Sequence, residues 1–129
     1  MAFVIALDAA DLEFGRSLWS ILRAQRAFEW NGIFWLLDQE AEQWHLVVVT
    51  PLLDQLGPRE AYTMLADLTK SIPASGDQLL RITLMSPKDR LYDSLRSVSS
   101  HAASVEGLRL GNTYLGNVIV PEAYLYDIR

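Results

Sequence analysis

The segment IFWLLDQEAEQWHLVVVTPLL, residues 33–53, decides how this chain folds. Ile33–Leu37 and Trp44–Leu53 are rich in β-branched and aromatic residues, the composition of strands. The polar stretch Asp38-Gln39-Glu40-Ala41-Glu42-Gln43 between them suits a hairpin loop. Side chains alternate along a strand, so Trp44, Leu46 and Val48 point one way while His45, Val47 and Val49 point the other. Both sets are largely apolar. A strand of that kind is central and covered on both sides, which predicts a layered α/β domain.

The flanking sequence supplies the layers. Downstream, Gly57-Pro58 opens a helix with proline at its favoured first position. Ala61, Tyr62, Leu65, Leu68 and Ile72 form its single stripe. After a loop at Pro73–Asp77, Leu79–Met85 reads as a third strand. Ser86-Pro87-Lys88-Asp89 then resembles a capping box, with aspartate in place of the usual glutamate. Leu91, Leu95, Val98 and Ala102 stripe the helix that follows. Turn signals at Gly111-Asn112, Gly116-Asn117 and Pro121-Glu122 separate short strands that include Val118–Val120 and Ala123–Asp127.

Upstream, a helix is expected from Ala6 or Asp8 to Phe28, stopped by Asn31-Gly32. The order α-β-β-α-β-α-β-β gives a single α/β domain of the mixed α+β kind, covering residues 1–129. It has a mixed sheet of about five strands and three main helices. The two β-α-β units predict parallel pairings through right-handed crossovers. Whether helices cover one face of the sheet or both is left open by the pattern.

The first helix carries more apolar surface than a core stripe requires. At about 100° per residue, Leu7, Ala10, Phe14, Leu18, Ile21 and Phe28 share one face. Ile5, Leu12, Trp19 and Trp30 gather on the opposite side, interrupted by Arg16, Arg23 and Arg26. One stripe suffices for a helix in a small domain. The second therefore asks for a partner, and tryptophan and arginine are the residue types that dominate binding hot spots. Leu12, Arg16, Trp19, Arg23 and Trp30 are the expected contact residues, with a second copy or another protein as partner.

Composition narrows the function classes. Half of the residues are apolar and four are tryptophan, a generous share that tends to surface as an interface. The formal charge is −5, which favours solubility and disfavours nucleic acid and anionic lipid. The chain has no cysteine, which removes disulfides, thiolate catalysis and zinc–cysteine sites and suits a reducing compartment such as the cytoplasm. The apolar run Ala2–Leu7 lacks the positive flank and length of a signal peptide. No stretch approaches the roughly 20 apolar residues that span a bilayer.

Catalytic and cofactor motifs are weak. Asp38, Glu40 and Glu42 could offer oxygen ligands, but the glycine-turned spacing of a calcium loop is missing, so a solvated hairpin tip is the reading. His45 lies among strand apolar residues. His101 follows Ser99-Ser100, where adjacent helical residues do not face each other as a nucleophile and base would. Gly111-Asn-Thr-Tyr-Leu-Gly116 has the outer glycines of a phosphate loop without its lysine. No catalytic, cofactor-binding or metal residue is assigned.

The expectation is therefore a non-catalytic interaction or accessory module that self-associates through the outer face of its first helix. Two alternatives stand beside it. One is an acidic neutraliser of the antitoxin or immunity type, acting on a basic partner. The other is a small hydrolase using His45 or His101.

Overall fold

A computed structural model describes residues 6–73, 76–100, 104–111, 113–115, 118–120 and 122–129. For 113–115 and 118–120 the description stops at the backbone. His101, Ala102 and Ile5 lie outside the described residues.

The hairpin forms as its sequence requires. β1 (Gly32–Asp38) and β2 (Gln43–Val49) pair antiparallel from Gly32↔Val49 to Asp38↔Gln43. At the turn, Asp38 Oδ1 accepts the N–H groups of Glu40 and Ala41, and Glu42 takes a positive φ of 53°. The second strand is shorter than its apolar run. Pro51 cannot donate a ladder hydrogen bond, and Leu52–Leu56 turns into a short helix, α2.

α3 (Pro58–Thr69) follows Gly57, whose φ of 85° is a conformation that glycine adopts without strain. Gly76–Leu80 forms α4, and β3 (Ile82–Met85) then pairs parallel to β2. α5 spans Arg90–Ser99, with Asp89 as its cap: the aspartate side chain accepts Leu91 N–H. Ser86 instead accepts Lys88 N–H one turn earlier.

The remaining strands are β4 (Leu108–Leu110), β5 (Thr113–Leu115), β6 (Val118–Val120) and β7 (Ala123–Ile128). Five strands form one mixed sheet in the order β3-β2-β1-β7-β4, and β5 and β6 form a separate ribbon. The chain is thus a single compact α/β fold. Of the two parallel pairings expected, one exists. After α5 the chain crosses to the far side of the sheet, and β4 joins β7 antiparallel. β7 lies between β1 and β4, and its first three residues, Ala123–Leu125, are paired on both sides.

Helices cover both faces. Trp35, Trp44, Leu46, Val48 and Leu84 pack on one side against α1 (Ala9–Ala24) and α3. Phe34, Val47, Val49 and Leu125 pack on the other against Tyr92 and Leu95 of α5. The alternation read from residues 44–49 is the partition between these two cores. Tyr92 also donates its hydroxyl to the Arg129 carbonyl, fixing α5 to the end of β7.

α1 is shorter than its apolar periodicity suggests. Gln25 ends it: its side chain donates to the Leu22 and Phe28 carbonyls and accepts Phe28 N–H. These bonds satisfy groups that a helix end leaves open. Arg26, Phe28 and Trp30 therefore lie beyond the helix. Phe28 is still buried, but it reaches the core from the connecting loop.

Candidate interaction surfaces

The second apolar side of α1 meets the chain's own sheet. The register of β7 against β1 shifts between Ile33↔Asp127 and Phe34↔Leu125, leaving Tyr126 as the extra residue of a bulge. Tyr126 and Asp127 both reach α1. The Tyr126 hydroxyl donates to the Leu12 carbonyl at 2.8 Å and accepts the Trp35 indole N–H at 3.0 Å. Burial pushes the pKa of this phenol up, so it stays protonated as the donor. Asp127 accepts the Trp19 indole N–H at 3.1 Å.

Gly15 makes this approach possible. A Cβ there would lie 2.3 Å from the Tyr126 oxygen. The same ring packs on Trp19, with centroids 5.9 Å apart.

The expected contact residues are divided by this arrangement. Trp19 is 7% exposed and Trp30 is 5% exposed within the single chain. Trp30 donates its indole N–H to the Leu22 carbonyl. Each indole is also roofed by an arginine, Arg23 over Trp19 at 4.0 Å and Arg129 over Trp30 at 3.8 Å. Leu12 is partly buried, while Arg16 and Arg23 face outward. The surface that α1 offers is polar, with Arg16 and Arg23 outward and Trp19 turned into the fold.

Sequence reasoning did not single out Asp11 and Arg81. Arg81 NH2 lies 2.6 Å from Asp11 Oδ1 and NH1 lies 3.3 Å from Oδ2, a two-pronged pair whose side chains are almost buried. Gln78 adds a bond to Asp11, and Asp77 lies 3.2 Å from Arg81 Nε. The hydrogen bond to Asp11 raises the Arg81 pKa against the opposing effect of burial. This cluster pins α4 and the start of β3 to the first turn of α1.

What α4 presents is the most apolar exposed feature of the described residues. Leu80 is 86% exposed, and Leu79 and Tyr62 are 42% and 39% exposed. Leu79 lines a groove of about 410 Å³ together with Tyr62, Leu65, Ile72 and Ile82, and Thr69 and Lys70 also line it. The edge of β3 is guarded here, because the Tyr62 hydroxyl accepts Leu84 N–H at 2.9 Å. An edge strand blocked in this way resists pairing with another chain through its backbone. Side chains, not strand addition, are what this face has to offer.

A second concavity lies on the other face of the sheet, where α5 does not reach. It encloses about 530 Å³ over Leu36, Val47 and Met85. His45 lines it, with its Nδ1 3.3 Å from the Thr83 hydroxyl. The exposed Asp38 and Glu40 also line it. The histidine thus meets a hydroxyl where an acid–base pair would need a carboxylate.

Among the described residues, no group of three or more histidine or carboxylate side chains is placed to hold a metal ion. No helix among them is long and apolar enough to cross a membrane. No protein family, curated protein or solved structure matches this chain.

Proposed function

We propose that this chain is a non-catalytic interaction module that associates with a second copy of itself through the α3–α4–β3 face. It would serve as an accessory or regulatory subunit, in a reducing compartment such as the cytoplasm. One observation carries the reading: α4 ends on an almost fully exposed leucine, Leu80, and the residue before it, Leu79, lines an open, mainly apolar groove. A knob next to a hole is self-complementary under a two-fold axis, since each copy can seat its Leu80 in the other's groove. Burying a leucine contributes about 1.5–3 kcal/mol, and the two-fold makes every such contact twice.

The face differs from the one that the helical periodicity suggests. An interface on α1 would have Arg16 and Arg23 as its contacts, because Trp19 and Trp30 already fill places inside the chain.

Sedimentation equilibrium tests the proposal. The wild-type chain is expected to dimerise, and Leu80→Asp to weaken the dimer by about 100-fold or more, as loss of a central anchor does. At concentrations where both chains are monomeric its melting temperature should barely change, since Leu80 is 86% exposed in the single chain. A wild-type chain that stays monomeric at high concentration, or a Leu80→Asp variant that dimerises equally well, refutes the reading.

A further inference from the structure

We propose that the groove over β1, β2 and β3 is a binding site for an organic ammonium ion, a primary amine carried on an apolar body. The inference is independent of self-association, because Thr83 and Met85 face this groove while Ile82 and Leu84 face the opposite core. Its volume of about 530 Å³ falls within the range of small-ligand sites, about 300–1,000 Å³. Leu36 and Met85, both only partly buried, extend the core beneath α5 past the buried Val47 and form the groove's apolar floor. An apolar body would complete that layer.

Charge then selects the head group. Asp38 and Glu40 line the groove, neither lysine nor arginine lines it among the described residues, and the chain is acidic overall. The Asp38 carboxylate is already held by two backbone N–H groups, so little side-chain freedom is lost when a cation approaches it. His45 has Nδ1 engaged with Thr83, which leaves Nε2 as the ring nitrogen for a ligand. Exposed carboxylates add little affinity by themselves. They favour one sign of charge over the other, while apolar burial holds the ligand.

The probe is 4-phenylbutylamine, followed at neutral pH by amide chemical shifts of the isotopically labelled chain. It should bind saturably with a Kd of about 1 mM, as suits a ligand of this size. Shifts should centre on Leu36, His45, Val47 and Thr83. The isosteric carboxylate, 4-phenylbutyrate, should bind about tenfold more weakly.

Two variants separate the contributions. Asp38→Asn with Glu40→Gln should remove the preference for the amine while leaving apolar binding. Thr83→Phe, at a half-exposed strand position, should fill the groove and abolish binding of both probes. Leu80→Asp should leave the affinity unchanged. The proposal fails if the amine does not saturate, if the carboxylate binds equally well, or if Thr83→Phe still binds.

Discussion

Asp11→Ala is expected to destabilise the chain by about 3 kcal/mol in urea unfolding, the lower end for breaking a buried pair, because it leaves the Arg81 guanidinium with only the exposed Asp77 carboxylate as ion-pair partner. The side chains of this pair are only 11% and 10% exposed, so water cannot replace the lost carboxylate. A stability of about 5–15 kcal/mol is usual for a domain, so this loss is a large share of the total. Arg81→Met in the same chain should return much of it. The double variant removes both charges, and an apolar replacement of a buried pair is often close to neutral. A single variant that loses less than about 1 kcal/mol would place Arg81 in solvent and contradict the anchoring role given to it.

Trp19→Ala is expected to lower stability by about 3–5 kcal/mol, the range for truncating a large core aromatic. The indole packs on Tyr126, donates to Asp127 and lies beneath Arg23. Trp19→Phe keeps a ring in the site but removes the donor, so a loss of about 1–2 kcal/mol is expected. Urea unfolding measures both. The association constant of Trp19→Ala, measured where the variant remains folded, should match that of the wild type. Unchanged stability with a weakened dimer would reverse the assignment and return the interface to α1.

The order of the main elements was readable because few signals conflict along the chain, while the short helices α2 and α4 overlap stretches that read as strand or loop. Alternation over residues 44–49 separates the two cores, and Gly57-Pro58 marks the start of α3. The end of α1 was not readable from periodicity. Phe28 and Trp30 continue the helical spacing, yet Gln25 captures the local backbone and both aromatics reach the core by another path. The tryptophans of the second stripe therefore looked unpartnered. Trp19 is covered by a bulge in a strand more than a hundred residues away, which only the register of β7 creates, and Trp30 by the Leu22 carbonyl and Arg129.

The candidate face was hidden for a related reason. Residues 79–85 form an almost continuous apolar run, which reads as one strand. A turn of helix ends at Leu80 and strand pairing begins at Ile82, so the leucines that would have faced a core stand outside. The cause is the Asp11–Arg81 pair, a contact between residues seventy apart. The cap of α5 was misplaced more narrowly. Ser86 and Asp89 both bond to backbone N–H groups, and the helix starts after the second of them.

The central claim is that association belongs to the α3–α4–β3 face while Trp19 and Trp30 belong to the fold. An isotope-filtered NOE experiment on an equimolar mixture of labelled and unlabelled chains tests it most directly. The account predicts contacts between the Leu80 methyl groups of one copy and the Tyr62 ring of the other. Contacts between copies that involve Arg16 and Arg23, or none at Leu80, would contradict it.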